Sequence, residues 1–478
     1  MTRHAYSPRA IASSLSYRNL WRPALIIAVL LASALLAYRQ PSRQLALLIL
    51  ALGPALVAAA IYLRKPGIGL LALVFTALLV PFSIGTGTDT TLNPVVLLVP
   101  ALAGLWVADM GLRHHAIQFH RHTSIYLLLA MLGVITLSFI VGQLPWFNIP
   151  GASAASQIGG LMVFFISAAA FLVTAHTLDD LWLSRLVFLF IAIGSLIILG
   201  RLVLPLGRIL TPFVDPGALG SVFWIWLVVL PAAFVLFHGG LSRRMRALLA
   251  AVALLTLYVG FFRGGEWASG WAPSLVGLLI LIWLRFPRWG WIALFVALLT
   301  FIAQFDRFWL LATSNESWLA RKQAWQIVLD AVETNPVLGL GPSNYYFYVQ
   351  NATIWGWGGA WNVKFSSHNN WVDLIAQTGI LGTAIFLLFA WSLFRVGMRL
   401  YSGLPDGFPR AYAAACVAGL VATLISGFLG DWFLPFVYNI GLAGMRSSIL
   451  FWVFMGGLLG MNMRHSNETA VVVTSDPS

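Results

Sequence analysis

The stretch Ser366-Ser367-His368-Asn369-Asn370 is a polar knot set against a long apolar run that begins at Trp371. A neutral imidazole there, near water but beside a membrane, is a proton acceptor at pH 7. The plainer alternative is an interfacial polar residue. Ser367 or a neighbouring asparagine would then cap the following helix, with Asp373 in its first turn. Two arginines stand in comparable places. Arg263 follows an apolar run within Val259–Gly270, where a charge must snorkel, pair or meet an anion. Glu266 is one available partner, and Gly264 and Gly265 permit a bend. Arg321 lies two residues from an apolar face. A planar guanidinium can hold a pair of phosphate oxygens. Each arginine alone has a structural explanation; with His368, on one side of a membrane, they suggest a base and a clamp for a di-anion.

These residues must be positioned by a bilayer-spanning scaffold. Apolar residues make up 60% of the chain and charged residues 9%, far from the balance of a soluble domain. Apolar runs of crossing length recur from Leu20 to Met461 and predict an all-α polytopic membrane protein of about 14 transmembrane helices. The runs are 22–38, 44–62, 66–83, 92–109, 124–142, 157–175, 186–205, 221–238, 247–262, 271–284, 289–303, 371–394, 411–430 and 447–462. The net charge of +13 sits mostly in short loops, which fits orientation and anionic membrane lipids rather than nucleic acid. With the N-terminus inside, 18 of the 28 Lys and Arg fall on the inner side and 10 outside, so both termini are expected in the cytoplasm. The one cysteine, Cys416, lies inside a span and offers neither a disulfide nor a thiolate metal site. No metal is expected either at His114, His115, His120 and His122, an inner-loop group without accompanying carboxylates or thiols.

The chain therefore divides into 1–303, a bundle of about eleven spans; 304–370, an extracytoplasmic loop; 371–463, the last spans; and 464–478, a polar cytoplasmic tail expected to lack structure. A long excursion among economical loops is a place to look for chemistry. Within it, Trp318–Thr334 predicts an amphipathic helix with Trp318, Trp325, Leu329 and Val332 on its apolar stripe, lying at headgroup depth. Asn335-Pro336 stops it, and Gly339, Gly341 and Pro342 make a tight turn. Tyr345 to Tyr348 could pack on the membrane or stack on a sugar. Trp355–Trp361, rich in Gly and Trp, reads as irregular chain. Gly379 and Gly382 would allow close packing of the next helix on a neighbour.

The block Arg321 to Gly382 resembles the O-antigen ligase and polysaccharide polymerase superfamily. Arg321 with Trp325 resembles the family's opening element, and Asn335-Pro336-Val337-Leu338-Gly339-Leu340-Gly341 its Gly-x-Gly turn. Ser367-His368-Asn369 followed by Thr378-Gly379-Ile380-Leu381-Gly382 resembles its His-Asn and GxxG signature. Arg263-Gly264 resembles an upstream Ser-Arg-Gly element with Phe262 in place of the serine, and Gln377 stands where an acidic residue is common.

The resemblance implies a bundle like that of the C-type glycosyltransferases, in the inner (cytoplasmic) membrane, with its site on the periplasmic face. It implies inverting, cofactor-free and metal-independent transfer of a glycan from an undecaprenyl-pyrophosphate carrier to a hydroxyl or sugar on a glycan, lipid or protein acceptor. By position, His368 would take the acceptor's proton, and Arg263 and Arg321 would bind the pyrophosphate. Asn369, Gly339, Gly341 and Gly379 would support the site. Asp330, Asp373 and Tyr345 could bind sugar hydroxyls, though helix caps and surface charges explain the two acids equally well. Repeat-unit polymerisation is the first alternative. A transporter or flippase of lipid-linked glycan is the second, opposed by the absence of a convincing internal repeat and by polar residues gathered on one side. A non-catalytic scaffold for envelope assembly is the third.

Overall fold

The computed structural model describes residues 58–59, 61–85, 91–114, 119–264, 267–303, 305, 316–349, 354–356, 359–361 and 365–474. The chain forms two compact units, Met1–Arg64 and Lys65–Ser478. The expected span 22–38, and 44–62 but for its last residues, lie outside the described residues.

The second unit is an all-helical bundle. Its long helices are α1 (Pro66–Leu79), α2 (Pro94–His114), α3 (Thr123–Val141), α4 (Ala154–Thr177), α5 (Asp180–Leu202), α6 (Ser221–Phe237), α7 (Arg243–Arg263), α8 (Pro273–Arg285), α9 (Pro287–Ala303), α10 (Glu316–Val332), α11 (Asn370–Gly403), α12 (Phe408–Ser426) and α13 (Met445–Thr474). Two short antiparallel hairpins complete it. Ile84–Gly85 pairs with Thr91–Leu92, and Ile354–Gly356 pairs with Gly359–Trp361, where irregular chain was expected. Among the described residues, eight helical segments are long and apolar enough to cross a membrane, and three shorter apolar ones accompany them. By the length and apolar composition of these helices the protein is an integral membrane protein.

Burial divides the helices. α6 is buried along almost its whole length, and α13 is nearly so between Met445 and Asn462. They form the centre, with α4, α7, α8 and α12 packed around them. α7 instead turns Leu254, Phe261 and Phe262 outward, as a lipid-facing helix does. Close approach at the centre depends on small residues. A Cβ on Gly456 would run into Phe171 O, and one on Gly460 would stand 2.6 Å from Ala175 O, so this Gly-x-x-x-Gly face lets α13 lie directly on the α4 backbone.

One end of the bundle is tied by polar side chains that reach between helix ends. Arg446, fully buried at the start of α13, donates to Val80 O (2.5 Å), Phe82 O (2.8 Å) and Thr76 O (3.3 Å). It meets carbonyls at and just beyond the C-terminus of α1, of which Thr76 O also accepts from Val80 N–H. Asn93 donates to Leu442 O (2.5 Å), and Ser447 Oγ accepts from Phe223 N–H (3.3 Å). At the other end α13 does not stop at the polar tail but continues to Thr474. No Gly or Pro follows Arg464 before that point to break it.

The loop helix α10 forms where expected, but with a different buried face. Ala320, Ala324, Val328 and Val332, each four residues on, are its buried positions, while Leu329 is exposed. Small residues face inward because α10 packs against α11 and the 354–361 hairpin.

Candidate active site

The loop after α10 docks into a break in α11. Gly379 has φ 64° and ψ −169°, a backbone open in practice only to glycine, and interrupts the helix. The break frees helix hydrogen bonds, and the Asn335–Gly341 turn takes them up. Ile380 N–H donates to Pro336 O (2.9 Å) and Leu381 N–H to Val337 O (3.2 Å), while the released Ala376 O accepts from Leu340 N–H (2.8 Å). Contact is backbone to backbone. A Cβ on Gly379 would meet Val337 O, and one on Gly339 would lie 2.6 Å from Gly379 N. Gly339 and Gly341 also carry positive φ, 71° and 84°. Gly382 faces Thr378 of its own helix rather than a neighbour. Asn344 fixes the turn's far side, donating to Gly142 O (3.1 Å) and accepting from Ala152 N–H (2.9 Å).

This docking holds the segment before α11 rigidly. Ser367 is pinned through its backbone and side chain: its N–H donates to Tyr345 Oη (3.1 Å), its carbonyl accepts from Trp325 Nε1 (2.7 Å), and its hydroxyl reaches Asp373 Oδ1 (2.6 Å). Asn369 caps α11, accepting from Trp371 N–H (2.9 Å) and Val372 N–H (3.4 Å). Asn370 clips the loop after α12 by donating to Leu434 O (2.6 Å) and accepting from Phe433 N–H (3.0 Å). Between these anchors His368 adopts φ 49°, a left-handed conformation rare for a side-chain-bearing residue. Such strain persists only where the surroundings enforce it.

His368 is partly exposed. Its Nδ1 lies 3.0 Å from Asn439 Nδ2, which also donates to Asp431 Oδ1 at 2.5 Å. An amide nitrogen has only protons to offer, so Nδ1 accepts and the neutral ring carries its proton on Nε2. Burial, followed by the positive charge of Arg321, lowers His368 to about 4. Arg321, one helical turn before Trp325 on α10, donates to Leu429 O (3.2 Å), and its Nε is buried without a partner among the described residues. Burial lowers its pKa while Asp431 opposes that shift. Asp431 is buried, accepts from Phe436 N–H (2.9 Å), and is pushed up to about 6 by desolvation.

The structure thus gathers His368, Arg321, Asp431 and Asn439. Arg263 stands apart at the end of α7, exposed, and Glu266 lies outside the described residues. Asp330 is exposed on α10. Tyr345 and Asp373 are not placed to receive a sugar. Both are buried, the phenol donates to the carboxylate at 2.5 Å, and Tyr345 stacks on Phe436 at 4.8 Å. Burial and then the Asp373 charge hold the phenol well above its ordinary pKa. These two residues brace the Ser367 loop from behind. Asp431 and Asn439 were missed by sequence reasoning. A signal existed: Asp431 is an acid at the very end of an apolar span, where a charge needs a reason. Among the described residues no group of three or more His, Cys, Asp or Glu could hold a metal ion.

Residues 249–387 match the family model described as O-antigen ligase. The match takes in Arg263 and the whole Arg321-to-Gly382 block, and supports the superfamily read from those motifs; Asp431 and Asn439 fall beyond it. No curated protein matches the chain significantly.

Proposed function

We propose that this O-antigen ligase-type membrane protein transfers a glycan from an undecaprenyl-pyrophosphate carrier to an acceptor hydroxyl, with inversion, on the extracytoplasmic face. The observation that carries the reading is His368, held in a left-handed backbone beside Arg321 within the family-matched stretch. The acceptor oxygen attacks the anomeric carbon from the face opposite the pyrophosphate. The bond from that carbon to the pyrophosphate oxygen breaks, and the carrier leaves as its pyrophosphate. Negative charge grows on that leaving group, and the guanidinium of Arg321 stabilises it, with Arg263, exposed at the end of α7, assigned to the same anion by the family resemblance alone.

The acceptor's proton goes to His368 Nε2. For that nitrogen to accept, the ring's own proton must sit on Nδ1 and find an acceptor there. Asn439 supplies one when its amide turns its oxygen toward the ring. Asp431 then faces the same oxygen and must donate to it as a carboxylic acid. Two states follow. With Asp431 ionised, Asn439 gives both protons away and Nε2 is a donor. With Asp431 protonated, Nε2 carries a free lone pair. A positioned imidazole base contributes roughly 10²–10⁴-fold.

The test is transfer by purified wild type and His368→Ala in nanodiscs with EDTA present, read as glycan mass moved off the carrier. Transfer that collapses in the folded variant supports the reading, and the product's mass separates ligation from repeat-unit polymerisation. Equal transfer by both proteins removes His368 from the mechanism.

A further inference from the structure

Next to the His368 cluster lies a cavity of about 410 Å³, within the range of small-molecule sites. Asp431 and Trp432 contribute to its wall together with Trp267, Asp215, Gly220 and Ser447. The two indoles meet edge to face, centroids 5.5 Å apart and planes at 80°. The charged residues in the lining are two carboxylates, with no Arg, Lys or His among them. The nearby cation, Arg446, is already engaged: its terminal nitrogens donate to carbonyls at and beyond the α1 end, and its Nε pairs with Asp215 of this wall at 3.6 Å. Trp432 Nε1 is buried with no acceptor among the described residues, an unmet donor in this wall.

This lining discriminates between the parts of a lipid-linked glycan. A pyrophosphate would face two acidic side chains with no cation in the lining itself, the Arg446 guanidinium being already paired with Asp215. A polyprenyl chain would strip water from those carboxylates and offer them nothing. A sugar ring presents hydroxyl donors to carboxylates and an apolar C–H face to an indole, and it brings no charge. Asp431 also touches Asn439, so a ring here lies beside the residues that hold His368.

We propose that this cavity seats an uncharged sugar ring belonging to one of the two glycans that react at His368. The proposal rests on the transferase reading above, and it concerns a position that reading leaves open. The chemistry fits a ring of the donor or of the acceptor alike.

Saccharide binding tests the cavity separately from turnover. The probe is a neutral oligosaccharide released from its carrier and free of phosphate, with inorganic pyrophosphate as the anionic control, titrated against protein in nanodiscs. Trp267→Ala removes one aromatic wall, Trp267→Phe keeps a ring, and Ala443→Trp fills the space. We expect the saccharide Kd to rise about tenfold in Trp267→Ala, by less in Trp267→Phe, and binding to be lost in Ala443→Trp, while pyrophosphate binding moves less than about twofold. In transfer assays KM should rise for the donor or for the acceptor, whichever supplies the ring, with kcat within about threefold. Transfer in wild type with saccharide Kd and both KM values unchanged in folded Ala443→Trp and Trp267→Ala overturns the cavity's role and spares the transferase reading. Saccharide binding that obeys the variants without any transfer does the reverse. Absence of both overturns the proposal.

Discussion

If Nε2 of His368 is the base, the protonated form of Asp431 is the working form, and replacing Asp431 by asparagine should preserve activity. Asn439 Nδ2 lies 2.5 Å from Asp431 Oδ1 and 3.0 Å from His368 Nδ1, so ionised Asp431 locks the ring proton on Nε2. Burial pushes Asp431 up to about 6. Above that value the neutral acid declines tenfold per pH unit, so kcat/KM should fall about 100-fold by pH 8. On the acid side the ring itself protonates near 4, which sets the other limb. The ionisable groups around this pair are Arg321, a fixed cation, and the buried Asp373, whose carboxyl is held by Ser367 and Tyr345. In Asp431→Asn an amide N–H replaces the acid's O–H opposite Asn439. The variant should hold the base-competent tautomer at every pH, and the alkaline fall should vanish. Asp431→Ala supplies no donor, and activity should drop by at least about tenfold across the range. The assay is initial-rate glycan transfer in nanodiscs from pH 4.5 to 8.5, with folding checked by size exclusion and thermal melting. A folded Asp431→Asn that is inactive throughout, or a wild type with a flat profile to pH 8, refutes the tautomer argument.

Other outcomes follow from the same contacts. Arg321→Ala should lower kcat/KM by about 10²–10³-fold, with Arg321→Lys between it and wild type, because a lysine keeps the charge but not the planar fork; single-turnover transfer would read it. Gly379→Ala must adopt φ near 64° and push into Val337 O. It should cost about 1–3 kcal/mol from backbone strain alone, visible as a lower melting temperature, and should release the loop that carries His368. Tyr345→Phe removes the donor to Asp373 and the acceptor of Ser367 N–H. A loss of about 1–3 kcal/mol on denaturation, with reduced kcat at unchanged donor KM, would mark it as a positioning residue rather than a sugar ligand.

Much of the scaffold could be read from one dimension, because a bilayer leaves few choices. A long apolar run must satisfy its backbone internally, so the apolar runs from 66 onward are mostly helical where residues are described, eight of the helical segments being long and apolar enough to cross a membrane. The glycines of the loop signature were legible as turn and packing residues. Their real task, exchanging hydrogen bonds between a turn and a broken helix, was not, since it needs Pro336 to meet Ile380, and Leu340 to meet Ala376, across about forty residues of chain. The stripe on α10 was only partly right, Val332 being buried and Leu329 exposed, for a related reason. Large aromatics suggested a face for the membrane, but the helix packs on protein, and close packing selects the alanines at 320 and 324.

The same blindness hid half of the site. His368 and Arg321 announce themselves by type and by context, a base and a fixed cation at the edge of apolar chain. Asp431 and Asn439 belong to the connection between the spans 411–430 and 447–462, in which no motif pointed to chemistry, and they lie beyond the stretch matched as O-antigen ligase. Yet the state of the imidazole is decided there. A histidine's usefulness depends on which nitrogen holds the proton, and that is settled by what faces the other one. Here it is an amide with two possible orientations, and the neighbour that selects between them is a buried acid. The chemistry expected of His368 is therefore a property of four side chains from three parts of the chain: the loop helix, the His368 segment and the connection after α12.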